Sequence, residues 1–106
     1  MNAVRSIIEG RRRELQALCL RCNVRQLDLF GSATTDHFDP AHSDLDMLVV
    51  FADMLPGDYA DAYFTLKQGL EDLFGRDVDL VTASTLENPH FRRAVESTKH
   101  SLFAAA

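Results

Sequence analysis

Apolar residues recur at helical spacing near the start of the chain. Val4, Ile7, Ile8, Leu15, Leu18 and Cys22 fall on one face, which predicts an amphipathic helix over residues 3–22. Arg25–Phe30 reads as a short strand closed by Gly31-Ser32. Leu45–Phe51 (LDMLVVF) gives the strongest strand signal. It is rich in β-branched and aromatic residues and apolar on both faces beyond its first positions, as a central strand is. Pro56-Gly57-Asp58 forms a turn, with Asp58 as N-cap of a helix striped by Tyr59, Tyr63, Leu66, Leu70 and Leu73. Gly75 stands where a helix C-terminal glycine is expected. Asp77–Thr82 (DVDLVT) is a third strand. Ser84 or Thr85 opens a short helix that Asn88-Pro89 stops, and Phe91, Ala94, Val95 and Thr98 mark a last helix. The order α-β-(short α)-β-α-β-α predicts a small α/β (α+β) domain over residues 1–106. Its sheet is mixed, of about three to four strands, and flanked by helices.

Composition narrows the functional classes. A chain of 106 residues with 46% hydrophobic and 25% charged positions is long and apolar enough for a core without disulfide or metal staples. Sixteen acids against eleven bases give a formal charge of −5, which argues against direct nucleic-acid binding through excess Lys and Arg. Eleven of the acids are Asp, a residue of turns, caps and metal sites rather than helix interiors. Arg11, Arg12 and Arg13 are consecutive on a predicted helix, so they point in different directions and form a solvated face, not one basic patch. The opening MNAVRSIIEGRRR holds no signal-peptide run, and no stretch approaches a membrane span. The expectation is a soluble, cytoplasmic protein without a membrane partner.

The chemistry concentrates in one constellation. Gly31-Ser32 closes the first strand; ten residues later Ser43-Asp44-Leu45-Asp46 opens the second. Residues i and i+2 of a strand share a face with Cα atoms about 6–7 Å apart, so Asp44 and Asp46 present paired carboxylates. Two neighbouring anions require a cation or protons, and hard oxygen ligands suit Mg²⁺ or Mn²⁺. Glycine lets a phosphate approach the backbone closely, and Ser32 adds a hydroxyl and an amide. A phosphate cradle beside a carboxylate metal site is equipment for transferring a phosphorus group. Asp77 and Asp79 on the third strand offer a third carboxylate. For all of these to converge, strands one and two must be antiparallel and strands two and three parallel.

The pattern Gly31-Ser32…Asp44-Leu45-Asp46, with Val78-Asp79-Leu80-Val81 downstream, resembles the minimal nucleotidyltransferase family of the DNA polymerase β superfamily. The resemblance covers about Leu27 to Phe103. It implies that Gly31 and Ser32 hold the triphosphate of ATP and that Asp44 and Asp46 bind two metal ions, Mg²⁺ or Mn²⁺. It also implies that Asp79, rather than Asp77, is the third carboxylate, which ligates the catalytic metal and helps deprotonate the attacking hydroxyl. Relatives of this size are often antitoxins encoded beside a helical HEPN-domain toxin, and some transfer AMP from ATP to a toxin tyrosine. The implied activity is metal-dependent transfer of AMP to a hydroxyl of a partner protein. Many members carry an Arg-Gly shortly after Gly-Ser, where this chain reads Ala33-Thr34-Thr35-Asp36. The alternative is a catalytically inactive antitoxin, or a nucleotide-binding subunit, that acts by protein–protein binding.

A second motif competes on paper. Cys19-x₂-Cys22, fourteen residues and then His37-x₄-His42 fit a zinc-finger spacing. Pro40 between the histidines and the Gly-Ser turn inside the segment argue against it, and Cys19 reads as core filler. His37 and His42 fall on the loop between strands one and two. His90 and His100 have no motif around them. Ser32 has no evident base nearby, so it reads as a phosphate ligand and not a nucleophile.

Overall fold

The computed structural model describes residues 2–31, 44–82 and 87–105. The predicted first helix is in fact two, α1 (Asn2–Glu9) and α2 (Arg12–Arg21). Gly10, a poor helix residue, ends α1, and Arg11 turns the chain at φ −127 and ψ 20. Ile8 and Leu15 still both reach the core. The arginine triplet splits accordingly: Arg11 and Arg13 are exposed, while Arg12 donates to the Leu102 carbonyl at 3.0 Å and to the Glu9 carboxylate. Asn23 then takes a left-handed conformation (φ 58), which Asn tolerates better than most residues, and the chain enters β1 (Val24–Phe30).

Strand β2 (Leu45–Phe51) leads into α3 (Pro56–Phe74). Leu55, not Asp58, is the N-cap residue of α3, and it offers no side-chain cap; Pro56 presets the first turn. Asp58 lies inside that turn, where its charge favours the helix N-terminus. Gly75 closes α3 in the left-handed conformation expected of it (φ 63, ψ 33). Strand β3 is Val78–Thr82. Asn88-Pro89 starts a helix. The Asn88 side chain accepts from the backbone N–H of His90 (2.9 Å) and Phe91 (3.3 Å), capping α4 (Pro89–Thr98). The helix expected at Ser84 or Thr85 and the short helix expected after Gly31 fall outside the described residues. A fourth strand, β4 (His100–Ala104), has no counterpart in the hydrophobic pattern, because only Leu102 of its five residues is buried.

The sheet order is β3-β2-β1-β4. Strand β1 is antiparallel to β2 and β4, and β2 is parallel to β3, so the sheet is mixed, as expected. One face carries Leu27, Leu29, Leu45, Met47, Val49, Val78 and Leu80, which pack with Leu15, Leu18, Cys19, Leu66, Leu70 and Phe74 of α2 and α3. The other face carries a smaller cluster of Phe30 and Leu48 under Val95 of α4, with Phe91 edge-on to Phe30. Helix α3 also covers the outer edge of β3. Tyr63 donates its hydroxyl to the Leu80 carbonyl at 2.6 Å, Lys67 donates to the Val78 carbonyl at 3.0 Å, and Glu71 accepts from the Val78 N–H at 3.1 Å. These contacts satisfy backbone groups that an edge strand would otherwise offer to another chain.

Both cysteines lie in the main core. They are free, and burial, reinforced by Cys22, pushes the Cys19 thiol up to about 12. Burial raises the Cys22 thiol as well. Both side chains pack among the apolar residues of that core. His37 and His42 fall outside the described residues.

Helices α2 and α3 touch at Gly69. A Cβ there would sit 2.7 and 2.8 Å from the two Leu18 methyl groups. Gly69→Val is therefore expected to destabilise the fold by about 1–3 kcal/mol through overpacking. In a Leu18→Ala background the same change should cost clearly less, since the clash is gone. Urea midpoints of the four proteins check this; strictly additive effects would place the Gly69 constraint elsewhere.

Candidate functional site

Strand register assembles the site. Asp46 of β2 is directly abreast of Asp79 in the parallel pair and directly opposite Phe30 in the antiparallel pair. The face that turns Leu45 and Met47 into the main core therefore turns Asp44, Asp46 and Asp79 to the α4 side. Neighbouring strands lie about 4.8 Å apart, less than the about 6–7 Å between i and i+2 positions, so the register places Asp79 nearer to Asp46 than Asp44 is. Asp44 and Asp79 are exposed and Asp46 is half-buried. Asp77 contributes differently. Its carbonyl accepts from the Leu45 N–H at 3.1 Å, and its charge acts on Lys67 of α3.

Electrostatics report the same convergence. The Asp46 carboxyl is raised above its ordinary value, first by burial, then by the charge of Asp79, then by that of Asp44. Asp77 is not among these causes. Among the described residues, no group of three or more His, Cys, Asp or Glu side chains is already drawn into a chelating cluster. The donor set is nonetheless all carboxylate oxygen, and the group most perturbed is the one between the other two. Those are the features that suit a hard divalent cation such as Mg²⁺ or Mn²⁺.

Gly31 follows Phe30 and closes over Asp46. Its φ is +74, and a Cβ there would fall 2.7 Å from the Asp46 Oδ2. Only glycine fits, for both conformation and space. The Gly31 amide donates to the Thr98 hydroxyl at 3.0 Å, a contact between residues 67 positions apart. The helical periodicity marks Thr98 as a position of the last helix, but nothing in the sequence links it to Gly31. Asp28 was not singled out. It is buried on this same face and accepts from the Gln26 side-chain amide at 2.9 Å. Ser32, His37 and His42 lie outside the described residues. A groove of about 690 Å³ between α2 and α3, lined by Arg21, Phe64 and Asp72 among others, shares no residue with the carboxylates.

The chain matches the nucleotidyltransferase domain family over residues 7–100. Two Methanocaldococcus jannaschii proteins, provisionally named protein adenylyltransferases MJ0128 and MJ1379, are 30% and 28% identical to it over 96 residues. Each alignment covers 91% of this chain and 94% of the relative. A solved structure provisionally described as a minimal nucleotidyltransferase superposes with a TM-score of 0.68 at 32% identity, covering 87% of this chain and 89% of that one. A chain from a mutant form of the toxin–antitoxin pair MntA–HpeT gives a TM-score of 0.60 at 26% identity, covering 84% of this chain and 68% of that one. These likenesses run through both strands that bear the carboxylates and through the glycine turn above them, and the chain belongs to the nucleotidyltransferase domain family.

Proposed function

We propose that this nucleotidyltransferase moves AMP from ATP to a hydroxyl of a partner protein and thereby acts as the antitoxin of a helical HEPN-domain toxin. The observation that carries the reading is Asp46. It is half-buried between two further carboxylates and lies under a glycine whose missing side chain clears its Oδ2. A structural role gives no reason to gather three anions there. The adenylyltransferase names of the archaeal relatives and the toxin–antitoxin setting of the MntA–HpeT pair support the acceptor and the partner. The Asp44 and Asp46 carboxylates would hold Mg²⁺ or Mn²⁺, with Asp79 completing the set. When bound, the ions neutralise the triphosphate and polarise the α-phosphoryl group. Gly31, lacking a Cβ, lets the triphosphate approach the backbone, and Ser32 orients the β- and γ-phosphates through its amide and hydroxyl. Asp79 receives the proton of the attacking hydroxyl as its oxygen bonds to the α-phosphorus, and the bond to pyrophosphate breaks. The remaining catalysis is positioning and charge complementarity.

The carboxylate cluster has a measurable cost. Folding raises the Asp46 pKa, so the folded protein keeps a proton that the unfolded chain gives up. Its contribution to stability is greatest below the ordinary carboxylate pKa. That contribution falls as pH climbs to the raised value and stays low above it. Asp46→Asn is therefore expected to raise Tm at pH 7 in EDTA and to flatten the acid limb of the Tm–pH profile. Mg²⁺ or Mn²⁺ should raise the Tm of the natural protein by mass action and leave the variant unmoved. A variant less stable than the natural protein in EDTA, or equally responsive to Mn²⁺, contradicts the assignment.

Transfer itself is read by intact mass. Incubated with ATP, Mg²⁺ and the protein encoded beside it, the enzyme should add one or more AMP units to that partner. Asp44→Asn and Asp79→Asn should each abolish the addition, and Ser32→Ala should weaken it less, because the turn amides remain. Partner binding should survive all three, since one side chain at a pocket rim is a small part of an interface. An unmodified partner that the Asp44→Asn variant still neutralises fully would refute enzymatic action.

A further inference from the structure

We propose that Thr98 is a positioning residue of the nucleotide site, acting by fixing the Gly31 turn over Asp46. The inference rests on the reading of Gly31 as part of the phosphate cradle.

Thr98 is the last residue of α4. Its Oγ1 donates to the Ala94 carbonyl at 2.8 Å and accepts from the Gly31 N–H at 3.0 Å. A hydroxyl has one proton, and Ala94 takes it, so a lone pair of Oγ1 is left facing the Gly31 amide. The bond back to the preceding helical turn also holds the Thr98 rotamer. The anchor is firm on both sides. One turn earlier, the fully buried Val95 packs with Phe30 and Leu48, and its carbonyl accepts from the Lys99 N–H at 2.8 Å. Two residues later, His100 is paired with Leu29 in the sheet.

Gly31 needs such an anchor. It has no side chain of its own to pack, and its left-handed conformation is one of several open to glycine. Its Cα must nevertheless stay close enough to Asp46 that a Cβ would collide with the carboxylate. Asp46 Oδ2 lies on the side where a Cβ would point, and withdrawal from it is opposed by Thr98. The turn is thus held at a set height between a carboxylate that would carry metal and a hydroxyl on α4. A phosphate bound by the turn and a cation bound by Asp46 then meet at a fixed separation, which is what an effective positioning device supplies.

Thr98→Val keeps the shape and deletes the acceptor; Thr98→Ser keeps the acceptor. Two readouts are taken on the full chain: exchange of the Gly31 amide by NMR, with the Leu48 amide of the central strand as reference, and the Kd for Mg-ATP by calorimetry. In Thr98→Val the Gly31 amide should exchange faster while Leu48 is unchanged. Its Kd for Mg-ATP should rise about 3- to 10-fold, as expected for loss of one hydrogen bond. Thr98→Ser should match the natural protein in both. Thr98→Ala provides the same test should valine disturb the helix end. Unchanged Gly31 exchange in the acceptor-less variants overturns the proposal. So does Mg-ATP affinity equal to that of the natural protein despite faster exchange, which would leave Thr98 a purely structural contact. Absence of Mg-ATP binding in the natural protein itself would instead overturn the nucleotide reading, and the proposal with it.

Discussion

Asp46 can lie between Gly31 and Asp79 only if β2 is the central partner of two strands running in opposite senses. The antiparallel pairing with β1 brings the end of β1, and so Gly31, to the start of β2. The parallel pairing with β3 brings the start of β3, and so Asp79, to the same level. A one-residue slip in either pairing would move the aspartates to the opposite face and push Leu45 and Met47 out of the core. The apolar residues between the aspartates therefore enforce the position of the charges. Hydrophobic burial on the α2–α3 side fixes the register, and the register gathers anions that repel one another on the other side.

Connectivity follows from this arrangement. Parallel β2 and β3 need a crossover, and α3 supplies it while laying Tyr63, Lys67 and Glu71 along the outer edge of β3. Helix α4 covers part of the aspartate face without reaching over the carboxylates. Its buried residues meet Phe30 and Leu48, and its end meets Gly31. No helix among the described residues is long and apolar enough to cross a membrane.

Much of this was legible in the sequence. LDMLVVF is apolar enough to declare a central strand, Gly75 marked the end of α3, and the i, i+2 aspartates placed a pair of carboxylates on one face. The mixed sheet was deduced from the need for the motifs to converge, and Asp79 was preferred to Asp77 by resemblance to a family. The register now places Asp79 abreast of Asp46 independently of that resemblance. What escaped notice had weak local signals. Strand β4 buries one leucine in five residues and owes its existence to pairing with β1, a partner far away in sequence. The break at Gly10 lies within a hydrophobic stripe that continues across it. Asn88-Pro89 is ambiguous, because the same two residues can end one helix and cap the next; the amides of His90 and Phe91 show the capping. Thr98 touches Gly31 only through tertiary structure.

The central claim is that Asp44, Asp46 and Asp79 form one metal site beneath the Gly31 turn. A crystal structure with Mn²⁺ and a non-hydrolysable ATP analogue tests it most directly. The account predicts anomalous density coordinated by Asp44 and Asp46, with Asp79 drawn toward it and the triphosphate lying against Gly31 and Ser32. Manganese and nucleotide bound elsewhere, with these three carboxylates still apart, would contradict it.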